Sequence, residues 1–206
     1  RAFVAWARRR SPGAFQRALD GTAGRPLRPR AVEPVQPLRG VPRLVWHGTL
    51  NRDRMLLDGV RSPPAIDMGK RGWGWSKGYA WSGIVTRWYR GLTDEGRESL
   101  RRQTGGGSGE LSADELGRRV SLLFVMTESP AYALAYAVEP GGRPEGVPVL
   151  ELDTSRLPLL GWIDDPYVMG GAMALVLPAR GYQGGPDAVV AVRRPLPAVR
   201  RRKGGG

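Results

Sequence analysis

Apolar residues along this chain gather in short continuous runs rather than in long amphipathic stripes. RLVWHGT at 43–49, VSLLFVM at 120–126, VPVLELD at 147–153, AMALVL at 172–177 and DAVVAV at 187–192 are each six or seven residues long. Gly, Pro or polar residues bound them. Runs of that length and punctuation predict strands. Helical signals are fewer. Residues 51–59 predict a short amphipathic helix stopped by Gly59. Thr93-Asp94-Glu95 caps a helix reaching about Gln103. Ser112-Ala113-Asp114-Glu115 has the form of a capping box. Ser129-Pro130 opens a helix through Val138. Residues 60–92, with SPP, GWGW and more glycines, read as loop, and GGGSG at 105–109 as a flexible hinge.

Several strands and few helices give an α+β fold. Residues 1–40 are basic and proline-rich, with Asp20 and Glu33 their only acids. Part of 2–19 predicts a short basic helix and 21–40 a linker arm. The folded domain is expected over 41–199, with an insertion at about 65–118. Residues 200–206 form a basic, Gly-rich tail. The chain opens on Arg, so we expect a fragment or a processed product.

Composition narrows the chemistry. With no cysteine, disulfides, thiol nucleophiles and thiolate zinc sites are all excluded. One histidine leaves little for a transition metal, and no EF-hand spacing occurs, so no metal is expected. The absence of cysteine and of a signal-peptide core suits the cytoplasm. No run approaches the roughly 20 apolar residues of a membrane span. A net charge of +13 favours polyanion partners, although Arg-rich coding alone would produce much of it. Between 70 and 90, KRGWGWSKGYAWSGIVTRWYR mixes aromatic and basic residues without an acid. Trp73, Trp75, Lys77, Tyr79, Trp81 and Arg87 there suit stacking on bases and contacting phosphates of DNA or RNA. They equally suit anchoring an insertion onto the core.

Three blocks carry candidate chemistry: VWHGT at 45–49, FVMTESPAYALAYA at 124–137 and GGPDAVVAVRRPLP at 184–197. In this order they resemble the ADP-ribosyltransferases of the diphtheria-toxin and poly(ADP-ribose) polymerase type, identified by a His, Tyr, Glu triad. The first block resembles that family's strand ending in His-Gly-Ser/Thr, here Trp46-His47-Gly48-Thr49. The second resembles its strand, Thr/Ser turn and Tyr-bearing helix, here with Thr127, Ser129 and Tyr132. The third resembles the late strand opened by the catalytic acid, with Asp187 where the family has Glu. The resemblance implies a core of two packed, mostly antiparallel sheets with flanking short helices, and NAD⁺ as co-substrate. His47 would position the adenosine ribose. The backbone of Gly48 would pair with the nicotinamide carboxamide, with Thr49 and Thr127 at the same site. Tyr132 would stack on nicotinamide, Ser129 would reach its amide, and Asp187 would stabilise the oxocarbenium.

Each residue also has a structural reading. His47 suits a buried core histidine, Ser129 a helix cap, Tyr132 and Tyr136 an apolar i, i+4 pair, and Asp187 a turn. Glu151 and Asp153 share one strand face, which reads as solvated. The function expected is mono-ADP-ribosyl transfer to a macromolecular acceptor, nucleic acid or protein. The alternatives are an inactive basic nucleic-acid-binding module of the same fold and an RNA 2′-phosphotransferase-like enzyme. The latter is disfavoured because no second histidine is present.

Overall fold

The computed structural model describes residues 32–68, 81–138, 142–164, 171–179 and 186–195. In chain order the elements are β1 (Leu44–His47), α1 (Arg52–Asp58), α2 (Ala65–Met68), α3 (Trp81–Arg90), α4 (Asp94–Thr104), α5 (Ala113–Arg119), β2 (Val120–Met126) and α6 (Pro130–Ala133). A 3-10 turn (Leu134–Tyr136) then leads to β3 (Val149–Asp153), a second 3-10 turn (Thr154–Arg156), β4 (Gly161–Asp164) and β5 (Ala172–Pro178). A third 3-10 turn (Pro186–Ala188) precedes β6 (Val189–Arg193).

The six strands form one sheet in the order β4-β5-β2-β1-β3-β6, and every pairing is antiparallel. The α+β class is as expected; among the described residues one sheet forms in place of two packed ones. The sheet is nevertheless uneven. β2 and β5 are paired at seven positions and β1 and β3 at four, but β1 meets β2 only at Trp46↔Met126. Two three-stranded halves therefore join at a narrow seam.

Apolar side chains on both faces explain why β2 and β5 read as continuous hydrophobic runs. On one face Val45, Leu123, Val125, Leu150, Leu152 and Leu175 pack with Met55 and Leu56 of α1. On the other, Val120, Leu122 and Val176 meet Val85, Trp88 and Tyr89 of α3, Leu100 of α4 and Leu116 of α5. A third cluster at the seam joins Met126 and Val149 to Ala133 and Leu134. The segment expected as an insertion thus supplies a helical layer of the core.

Local signals account for most boundaries. Thr93 caps α4 through Gly96 N–H, and Ser112 and Glu115 make the reciprocal capping-box bonds. Gly59, at φ 95°, ends α1. The GGGSG segment does not hang as a free hinge. Gly106 N–H donates to Arg101 O (2.8 Å), and Arg101 Nη1 donates to Gly109 O (2.9 Å). Residues 32–40, expected within the arm, also pack on the domain. Val35 N–H donates to Leu160 O, and Gln36 Oε1 accepts from Trp88 Nε1 and Trp162 N. No helix among the described residues is long and apolar enough to cross a membrane.

Candidate functional site at the sheet seam

His47 ends β1 at the point where β1 and β2 separate. The residue is 9% exposed, and Nδ1 lies 2.7 Å from the carbonyl oxygen of Phe124 on β2. A carbonyl can only accept, so Nδ1 carries the hydrogen and Nε2 of the neutral ring is the acceptor. The imidazole thus bridges the two half-sheets beside their single backbone pair. Burial lowers the His47 pKa, and the bond to Phe124 opposes that only in part. The ring is neutral at physiological pH.

Gly48 follows with a specific steric demand. A Cβ there would fall on the carbonyl oxygen of Ala133, and would lie 2.9 Å from its carbonyl carbon and 3.1 Å from Tyr136 Cβ. The absent side chain is what allows the turn to touch the backbone of α6. This packing is a structural reason for the glycine beside its expected backbone role towards a carboxamide. Thr49 is buried, and its Oγ1 accepts from Asn51 N–H at the entry to α1 (3.1 Å). Arg52 then ties the turn down, with Nη1 donating to Ala137 O (3.2 Å) and Thr49 O (3.4 Å). An Arg in the first turn of a helix carries no sequence signal for this role.

The second block lies against the first. Ser129 caps α6, accepting from Ala131 N–H at 3.2 Å. Trp46, Tyr132 and Tyr136 are partly buried around the cluster of Met126, Ala133 and Leu134. Thr127 turns towards β5, where its hydroxyl donates to Gly171 O (2.9 Å). The structure thus brings His47, Gly48, Thr49, Ser129 and Tyr132 to one end of the seam, with Thr127 occupied on its β5 side.

Asp187 is not among them. His47 pairs with Leu150, whereas Val189 at the start of β6 pairs with Leu152 at the other end of β3. Asp187 lies two residues further out, in the 3-10 turn. That turn packs against α1, beyond the end of β3 opposite to the pair of His47 and Leu150. The Asp187 side chain is 68% exposed and lies 3.6 Å from Arg156, whose Nη1 also donates to the Asp187 carbonyl (2.7 Å). Arg156 is the partner the structure gives this residue.

The expected solvated face of Glu151 and Asp153 is corrected: both are buried. Glu151, across from Trp46, accepts from Arg193 Nε at 2.7 Å. Asp153 accepts from Ser155 Oγ (2.6 Å) and Arg43, and Arg156 lies 3.6 Å away. The Ser155 hydroxyl, with Arg43, holds its pKa below the usual carboxylate value. Alternation with Leu placed the two acids on one face, but the arginines that allow burial come from other elements.

Of the aromatic and basic stretch, Trp73, Trp75, Lys77 and Tyr79 lie outside the described residues. Trp81 opens α3, and Arg87 is exposed on that helix. No His, Asp and Glu cluster among the described residues is arranged to hold a metal ion. No known family, curated protein or solved structure matches the chain.

Proposed function

We propose that the seam is an NAD⁺ site and that the chain is a mono-ADP-ribosyltransferase. The observation that carries this reading is the packing of Gly48, in the His47-Gly48-Thr49 turn, against Ala133 of the Pro130–Ala133 helix that Ser129 caps. These are the two blocks that the NAD⁺ reading of the sequence needs together. A neutral imidazole whose Nδ1–H is committed to a carbonyl offers Nε2 to a ribose hydroxyl. A half-buried tyrosine ring offers a flat face for nicotinamide. In the reaction the ribose C1′–nitrogen bond of NAD⁺ breaks and neutral nicotinamide leaves. An acceptor oxygen or nitrogen then bonds to C1′ and releases its proton to water. Positioning and electrostatics are the terms a protein supplies to such a step. The basic charge of the chain suits a nucleic-acid acceptor.

One observation favours a second reading, NAD⁺ binding without transfer. Asp187 is remote from the turn, and Glu151 is already paired with Arg193. Nicotinamide release separates the two. Wild-type chain, His47→Ala and Asp187→Asn are incubated with adenine-labelled NAD⁺ plus DNA, RNA or protein. Label on one acceptor, lost in His47→Ala, supports the transferase. Saturable NAD⁺ binding with no nicotinamide release supports the second reading. Absence of both would sink the two together.

A further inference from the structure

Between α3, α4 and the loop after α4 lies a cavity of about 350 Å³, lined by Tyr89, Arg90, Arg97, Arg101 and Glu110. Tyr89 is 2% exposed; its buried hydroxyl lies beside the Arg101 guanidinium, which can only donate, so the phenolic O–H has no acceptor among the described residues. Leaving a phenolic O–H without an acceptor is unfavourable, so a tyrosine in that state in the lining of a cavity calls for an explanation. The arginines are held in place from behind. Arg97 Nη1 donates to Leu92 O (2.7 Å) and Arg90 O (3.3 Å), and Arg101 Nη1 donates to Gly109 O (2.9 Å). Their carboxylate partners, Asp94 and Glu98, are 90% and 52% exposed, so those pairs are well screened by water. Arg90 makes no ion pair among the described residues. A phosphate has the complementary chemistry. Its oxygens accept from a phenol O–H and from guanidinium N–H groups, and its charge offsets the crowded arginines.

We propose that this cavity binds a phosphate monoester, either on a free nucleotide or at the end of a nucleic-acid strand. The volume is at the lower end of the range for small-ligand sites and suits one phosphorylated nucleoside. The site shares none of the seam residues and does not depend on the NAD⁺ reading. Glu110 is the one acid in the lining and opposes the anion.

The test uses the full chain, with inorganic phosphate and adenosine monophosphate as calorimetric probes. An oligonucleotide with and without a 5′-phosphate is followed by anisotropy. Tyr89→Phe removes only the hydroxyl, and Arg90→Gln removes an exposed charge. Each should weaken phosphate-dependent binding about tenfold, as loss of one charge-assisted hydrogen bond does. Glu110→Gln should tighten it. Tyr89→Phe should leave the Tm unchanged or raise it. Response to adenosine monophosphate places the source as a free nucleotide, and response only to the phosphorylated strand places it as a strand end. Equal affinities in wild type, Tyr89→Phe and Arg90→Gln for every probe, or no binding of any probe, would overturn the proposal. A lower Tm for Tyr89→Phe would do so as well, because the hydroxyl would then already be bonded.

Discussion

Acidification from about pH 7.5 to 5.5 should destabilise this protein through a single imidazole. His47 is the only histidine in the chain. In the unfolded state it takes up a proton with a pKa of about 6.5. In the folded state burial lowers that value, and the bond to Phe124 restores only part of it. The unfolded chain therefore binds the proton first. Stability from this group is complete above about pH 6.5 and is lost as pH falls below it, until the folded-state pKa is reached. One pH unit in that window is worth at most about 1.4 kcal/mol. That is a large fraction of a total of roughly 5–15 kcal/mol. Urea unfolding followed by tryptophan fluorescence at the two pH values measures the loss. His47→Gln, measured in parallel, removes the imidazole contribution and leaves that of the carboxylates. The difference between the two proteins is the quantity predicted. The Hε1 proton of this one histidine also reports its own titration by NMR. Identical pH slopes for wild type and His47→Gln, or an Hε1 midpoint near 6.5 in the folded protein, would refute the buried, neutral, Phe124-bonded ring.

Gly48→Ala drives a methyl into the backbone of α6, which cannot rotate away as a side chain would. A loss of about 1–3 kcal/mol in urea unfolding is expected, and an unchanged midpoint would contradict the close contact. Arg193→Ala leaves Glu151 buried without its partner. A loss of about 1–3 kcal/mol is expected, below that of a fully buried pair because Arg193 is half exposed. A variant as stable as wild type would exclude the pair. Asp187→Asn should change stability by less than about 1 kcal/mol, since its ion pair is exposed. It should also leave NAD⁺ affinity within twofold, and a large affinity loss would show that the β6 end reaches the seam.

Strands defined by unbroken apolar runs were legible in the sequence. VSLLFVM forms β2 over the very residues expected, because burial on both faces leaves Ser121, itself buried, as its one polar position. Capping chemistry was equally legible at Thr93 and Ser112, where one side chain decides the boundary. β4 was missed: GWID has one large apolar pair, a Gly and an Asp, and it is a strand because β5 offers it a ladder. α3 was missed because the glycines around it suggested loop, although Val85, Trp88, Tyr89 and Leu92 recur at helical spacing. At the candidate site, His47 and Tyr132 fell together because each belongs to an element fixed by local pattern. Asp187 did not, since its distance from the turn depends on the register of β6 on β3. No local signal encodes register between strands so far apart in sequence.

The central claim is that the seam between the half-sheets is an NAD⁺ clamp. Titration calorimetry of NAD⁺ into the wild-type chain and into Tyr132→Ala tests it most directly. One saturable site in the wild type, weakened at least tenfold in Tyr132→Ala with the fold intact by circular dichroism, is the predicted result. No heat of binding at millimolar NAD⁺, or equal affinity in the two proteins, would contradict it.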